Sequence, residues 1–382
     1  MSGKKTWYMR HSYSLRISVN FHKTRNNIGF IMSVHFLKSR NAGIIKLDRP
    51  DALHALSIDM VEQMTARLLE WQEDHEVCHI IISSTGQRAF CSGGDVRQAV
   101  SYVQADPTGF SAEPYFRAEY SLDTVVATYS KPIISLVNGV VMGGGLGLCR
   151  NGAIMIVSET IKCAMPETAI GLFPDVGASL FLRAPGIAIG LMLGMTGQII
   201  GAGDAIAWQI ADKCVPFDKF DDLQDKLCAC DSNISALGEV ISEFEVSGPD
   251  PILAKQETLI NNLFHGTVTQ IVERVAASAD EIEQAKSWHH ALTTRCPASI
   301  SVIHRLLTKI PPSDSVLEAL QLDFQIACRM MRRSDFSEGV RAVLIDKDNA
   351  PSWSPNNISS ITESEIDAIF EFDSSLRLNK TG

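Results

Sequence analysis

Residues 132–149 read PIISLVNGVVMGGGLGLC, and how this apolar run is interpreted decides the architecture. Asn138 and five glycines interrupt it, and it is shorter than the roughly 20 apolar residues a membrane-spanning helix needs. The β-branched IISLV followed by Asn-Gly predicts a buried strand that ends in a turn. MGGGLGLC then predicts a turn that opens a helix, since glycine lets the backbone fold back tightly with its N–H groups bare. Strand, turn and helix in succession make one α/β unit.

The same alternation continues on both sides. VHFLKSRNAGIIKLD, from residue 34, predicts a hairpin. SIDMVEQMTARLLEWQED follows with Met60, Met64, Leu68 and Trp71 at helical spacing and Ser57 as its N-cap. CHIIISST predicts a second buried strand that runs into the small-residue turn GQRAFCSGGDV. AIMIVSET and IKCAMPE predict two more strands. Beyond about residue 216 the strand pattern stops, and FDDLQDKLCAC, ILAKQETLINNLF, TQIVERVAASADEIEQAKSWHHALTTR, ISVIHRLLTKI and VLEALQLDFQIACRMMRR are all helical in period. Each of those helices has one apolar stripe that needs a surface to cover, so the helical third is expected to pack on the α/β core. NAPSWSPNNISS (349–360) is a turn-rich loop before a last short helix.

Composition narrows the function. The formal net charge is −10, which argues against a nucleic-acid binder but leaves room for a local basic pocket. No apolar segment predicts a membrane span. The nine cysteines are scattered. The one close pair, Cys228 and Cys230, lacks a second pair or a nearby His at zinc spacing, so no metal site is expected and free thiols are. The ten histidines are scattered too. The first forty residues are basic, with no acidic residue before Asp48, a composition like that of a mitochondrial presequence. The competing reading starts the protein at Met32, directly before strand pattern begins, and makes it cytoplasmic and bacterial in type. Under either reading residues 1–31 lie outside the fold.

Two glycine turns, Phe90–Asp95 (FCSGGD) and Met142–Gly147 (MGGGLG), follow buried strands. If they converge, their N–H groups form an oxyanion hole; alternatively the glycines only permit close strand–helix packing. Other glycine chemistries are excluded by spacing. G-x-G-x-x-G fails at Leu148 or Arg150, no Gly-Lys-Ser/Thr closes a phosphate loop, and Phe90 stands where G-x-S-x-G requires glycine. Downstream, MPETAIGLFPDVG (165–177) sets Glu167 and Asp175 in apolar, proline-marked surroundings. A carboxylate there needs a partner, a raised pKa or a chemical task. Asp175 also suits an N-cap for VGASLFL, and Glu119 in FRAEY suits a solvated helix face.

LDRPDALHAL (47–56), RAFCSGGDV (88–96), KPIISLVNGVVMGGGLGL (131–148) and AMPETAIGLFPDVG (164–177) together resemble the crotonase, or enoyl-CoA hydratase/isomerase, superfamily. AMPETAIGLFPDVG with FSEGVRAVLIDKD (336–348) and PSW is similar to its 3-hydroxyisobutyryl-CoA hydrolase branch. The resemblance implies an α/β crotonase (ClpP-like) spiral of ββα units, with an acyl-CoA-binding core over 32–215 and a helical region over 216–382. It implies an acyl-CoA substrate, of which coenzyme A is a part, and no separate cofactor. It also implies that Gly94 and Gly144 donate N–H groups to a thioester oxygen, and that Glu119, Glu167 and Asp175 line the acyl pocket. Lys347 resembles a position that contacts CoA phosphates or adenine, although Asp346 and Asp348 flank it. Superfamily members often form trimers or hexamers, so a homo-oligomer is implied, unless the helical region substitutes for a neighbour's contacts. Hydratases of the superfamily carry a second catalytic Glu where this chain has Gly147. Its loss disfavours hydration and suits attack on a thioester carbonyl, with Glu167 as nucleophile or as general base, Asp175 orienting Glu167 or the substrate hydroxyl, and Glu119 binding that hydroxyl or tuning the cluster.

Overall fold

The computed structural model describes residues 33–106, 113–231, 233–313 and 315–378. The expectations about residues 1–31 fall outside this range. Strands β1 (Val34–Ser39) and β2 (Ala42–Leu47) form the expected antiparallel hairpin, with Val34 opposite Leu47 and Ser39 opposite Ala42. From β2 onward the sheet is parallel, passing through β3 (His79–Ser84), β5 (Ile133–Val137), β7 (Ile154–Val157) and β9 (Lys213–Cys214). A second, three-stranded parallel sheet holds β4 (Ala89–Cys91), β6 (Val140–Met142) and β8 (Lys162–Ala164). Each pair of consecutive strands, β3–β4, β5–β6 and β7–β8, gives its first strand to the large sheet and its second to the small one, and helical structure follows. Repeating that step winds the chain into a spiral of ββα units.

The uninterrupted apolar reading of β3 and β5 has a direct cause, because both faces of the large sheet are covered. Met60, Met64, Leu68 and Trp71 of helix α1 (Ile58–Glu73) lie in one buried cluster with Ile45, Leu47, Ile80 and Ile82. Ser57 caps α1 as expected, accepting a 3.3 Å hydrogen bond from the Met60 N–H. Ile44, Ile81, Ile134, Leu136 and Ile156 form a separate cluster with Leu223, Leu227, Leu237 and Ile241 from the helices 220–229 and 234–244.

Among the described residues no strand follows Cys214, and the later helices pack back on the core as their single apolar stripes require. The helix Val316–Met330 lies along α3 (Glu113–Ala127), where Phe324 meets the Tyr120 ring edge-on at 5.8 Å. The helix Pro297–Thr308 lies along Ile187–Thr196. No described helix is long and apolar enough to cross a membrane. Strands β4 and β6 sit inside segments that the sequence presents only as turns. At three residues each they are too short for alternation to register.

Candidate active site

Two further helices complete the frame: α2 (Val96–Ala105), which follows the first glycine turn, and α4 (Gly144–Arg150), which opens inside the second. The small sheet brings these turns together, since β4 ends at Cys91 and β6 at Met142 as parallel neighbours. A Cβ placed on Gly144 would lie 3.3 Å from the Gly94 nitrogen, and one on Gly93 would lie 3.3 Å from the Gly144 nitrogen. Among the described residues neither the Gly94 nor the Gly144 N–H donates a hydrogen bond. The packing reading of the glycines holds at one position. Gly145 serves packing, since a Cβ there would press on the Cys91 carbonyl at 2.6 Å. Gly94, Gly143 and Gly144 instead face carboxyl groups.

Helix α3 supplies the first of these. Tyr115, Glu119 and Asp123 recur at four-residue spacing and so share one face, and that face is turned inward. The Glu119 carboxyl lies against the bare backbone of both turns. A Cβ on Gly94 would stand 2.9 and 3.0 Å from its oxygens, and one on Gly144 would collide with Oε1. Glu119 is only 7% exposed, which overturns the solvated-face alternative. Burial and the nearby Asp175 push its pKa up to about 8.

The second contribution comes from MPETAIGLFPDVG. Strand β8 ends at Ala164, and a 3₁₀ turn spans Glu167–Ile170, closed by Gly171. Glu167 is buried beside the glycine turn, where a Cβ on Gly143 would sit 2.6 Å from its Oε1. Its Oε2 is buried without a partner. Burial and the charge on Asp175 raise its pKa well above the usual carboxylate range. Asp175 Oδ2 accepts a 2.5 Å hydrogen bond from the Tyr120 hydroxyl. Burial lifts its pKa to about 6 against the lowering effect of that bond. The N-cap alternative for Asp175 fails, because Gly177 caps the short helix 178–181 and the Asp175 side chain is committed to Tyr120.

Two more acids enter that the motifs did not indicate. Asp123 lies where a side chain at Gly147 would project, since a Cβ there would be 2.8 Å from its Oδ1. Asp323 reaches in from the C-terminal helix 316–330 and accepts the Gly177 N–H at 2.8 Å. Both are buried, and burial pushes both pKa values upward. Between them runs Val176, whose φ of 49° is unusual for a β-branched residue. Asn151 Nδ2 donates to the Val176 carbonyl at 2.8 Å, and with Asp323 it holds both ends of the one Val176–Gly177 peptide group that follows the strained residue.

The structure thus gathers Gly94, Gly144, Glu119, Glu167 and Asp175. Lys347 lies apart from that cluster, exposed after the π-helical turn Arg341–Ile345, with φ 59°. Both aspartates flanking it are taken by Arg341 Nη1, Asp346 at 2.6 Å and Asp348 at 2.7 Å, so they do not pair with the lysine. Tyr120, Asp123 and Asp323 were missed. The four-residue spacing of Tyr115, Glu119 and Asp123 was the one available signal for Asp123; Asp323 had none. The described residues contain no grouping of His, Cys, Asp and Glu suited to a metal ion.

The family model described as Enoyl-CoA hydratase/isomerase matches residues 42–370. Curated relatives named "3-hydroxyisobutyryl-CoA hydrolase, mitochondrial" include the Xenopus laevis protein, 37% identical over 87% of both chains. The Homo sapiens protein of that name is 36% identical over 86% of both. Among solved structures, an enoyl-CoA hydratase from Rhodobacter sphaeroides 2.4.1 superposes with a TM-score of 0.84 at 35% identity, covering 91% of this chain and 100% of its own. A carnitinyl-CoA dehydratase from Mycobacterium thermoresistibile superposes with a TM-score of 0.82 at 31% identity, covering 92% and 99%. With the matched model spanning most of the chain and relatives above 30% identity along nearly all of it, the protein belongs to the enoyl-CoA hydratase/isomerase (crotonase) family.

Proposed function

We propose that the protein hydrolyses the thioester of 3-hydroxyisobutyryl-CoA, releasing 3-hydroxyisobutyrate and CoA in valine breakdown. The observation that carries this reading is the pairing of a buried Glu167, one oxygen unpartnered, with two undonated backbone N–H groups at Gly94 and Gly144. The names of the curated relatives support the choice of substrate. In this reading the thioester oxygen accepts from Gly94 and Gly144, which stabilise the negative charge as the carbonyl carbon becomes tetrahedral. Glu167 either attacks that carbon, forming an anhydride that water then cleaves, or takes a proton from a water that attacks directly. CoA leaves as its thiol in both routes. Asp175, fixed by Tyr120, orients the acyl end, and Glu119, protonated up to about pH 8, donates to the substrate hydroxyl. Lys347 extends the site towards the CoA phosphates.

A second reading is favoured by one observation. Asp123 and Glu119 bring carboxyls from α3 to the turn where Gly147 leaves none of its own. Paired carboxyls can add water to an enoyl-CoA double bond, so the missing side chain at 147 does not by itself exclude hydration. Free thiol release from a panel of acyl-CoAs separates the two. Hydrolysis of 3-hydroxyisobutyryl-CoA liberates CoASH; loss of enoyl absorbance without thiol release would establish hydration and overturn the hydrolase reading. Single turnover in ¹⁸O-water addresses the route, since label in the Glu167 carboxyl identifies the anhydride.

The mitochondrial relatives and the basic residues 1–31 together favour a matrix location with those residues as a presequence, over a cytoplasmic start at Met32. Mass spectrometry of the mature N-terminus in the source cell decides this, a cleaved end near residue 32 with matrix residence being the expected result.

A further inference from the structure

Arg295 is a half-buried guanidinium that makes no hydrogen bond or ion pair with any described residue. Other arginines of the helical third are engaged: Arg305 with Glu363 and Asp367, Arg333 with Asp335, and Arg341 with Glu338, Asp346 and Asp348. Removing a guanidinium from water without a partner is costly, so something nearby must offset the loss.

The main chain fixes where Arg295 stands. It occupies the corner between the helices Glu283–Thr294 and Pro297–Thr308. On one side the Cys296 N–H donates to the Thr168 carbonyl at 2.9 Å, inside the same 3₁₀ turn that carries Glu167. On the other, Trp353 Nε1 donates to the Thr294 carbonyl at 2.8 Å. Gly197 leaves space for the side chain, because a Cβ there would lie 3.0 Å from the Pro166 Cα and 3.5 Å from Arg295 Nη2. The guanidinium therefore lies near Pro166, the residue before Glu167, and its own residue is fastened at both flanks.

We propose that Arg295 is a positioning residue that favours the ionised form of Glu167 against the burial and the neighbouring acids that oppose it, acting through its unpaired charge across Pro166. The two carboxyls that act on Glu167 both work against its ionisation: Asp175 on the same loop and Glu119 on α3. Burial draws the Arg295 pKa down and Glu167 draws it back up, the reciprocal of the lowering Arg295 exerts on Glu167. The remaining elements packed on the Glu167 turn add no competing free charge. Ile187–Thr196 has no ionisable side chain. In Pro297–Thr308, His304 binds the Gly266 carbonyl and Arg305 its two acids. In Ser334–Val340, Asp335 and Glu338 are bound by Arg333 and Arg341. The Cys296 thiol, pushed up to about 11 by burial, stays neutral.

This inference rests on the proposed role of Glu167, and its test is read without substrate so that the two can fail separately. The full chain, labelled with ¹³C at the glutamate carboxyl, is titrated by NMR, and the Glu167 signal is identified by its loss in Glu167→Gln. Removing the positive field raises the pKa of Glu167, so in Arg295→Met and Arg295→Gln its midpoint should move up by about one pH unit, a tenfold change in the protonation equilibrium. Arg295→Lys should restore it towards the wild-type value. In assays of CoASH release the acidic limb of kcat/KM should move up with the midpoint. A Glu167 midpoint unchanged in whichever neutral variant folds, or unrestored by lysine, would overturn the proposal whether or not thioesterase activity is found. Absence of any thiol release with the midpoint shifted would instead sink the catalytic reading of Glu167 and leave the coupling standing.

Discussion

Glu119 owes its properties to position alone. The same residue on the outer face of α3 would be an ordinary carboxylate, but turned inward against Gly94 and Gly144 its pKa reaches about 8. The folded protein therefore binds that proton more tightly than the unfolded chain. A group of this kind contributes its stability in full below the unfolded value and loses it as pH rises through the folded one. Glu119→Gln, which has nothing to ionise, should match the wild type near pH 4 and gain melting temperature over it progressively from the ordinary value of 4.5 up to about 8. Thermal unfolding followed by circular dichroism across that range checks this. An increment independent of pH would mean that Glu119 is already ionised in the folded state.

Between elements, the crossing of α3 and α4 is set by a glycine. A methyl group at Gly147 would lie 2.8 Å from both Asp123 Oδ1 and Val176 Cβ, and neither can retreat easily. Val176 is already at φ 49°, and the peptide that follows it is fixed by Asn151 and Asp323. Gly147→Ala should cost about 1–3 kcal/mol, the usual penalty for overpacking, despite the better helix propensity of alanine. Urea unfolding measures it; a variant as stable as the wild type would mean that α3 and α4 slide apart freely. Elements of this kind were legible in sequence wherever an apolar period persisted, as in α1 with Met60, Met64, Leu68 and Trp71. The three-residue strands β4 and β6 were not, for want of length. The inward acids of α3 were hidden differently, because Glu119 and Asp123 at four-residue spacing look the same whether that face meets water or a glycine turn.

At the scale of the whole molecule, the candidate site is assembled from both parts of the chain. The glycine turns and MPETAIGLFPDVG announce themselves by composition, and their convergence follows from β4, β6 and β8 pairing in parallel. Asp323 and Arg295 arrive from helices more than a hundred residues away, placed by Phe324 against Tyr120 and by Cys296 against Thr168. No local pattern encodes such contacts. The helical third thus does more than cover the core: it carries an acid that braces the Asp175 loop and, in Arg295, an unpaired charge near Pro166 that is proposed to act on Glu167. The central claim is that Glu167 performs thioester hydrolysis, and comparing wild type with Glu167→Gln on 3-hydroxyisobutyryl-CoA tests it most directly. Gln keeps the shape but neither attacks a thioester well nor accepts a proton, so binding of the CoA ester should persist while CoASH release falls by at least about 10²–10⁴-fold. Release of CoASH by the folded variant at the wild-type rate would contradict the account.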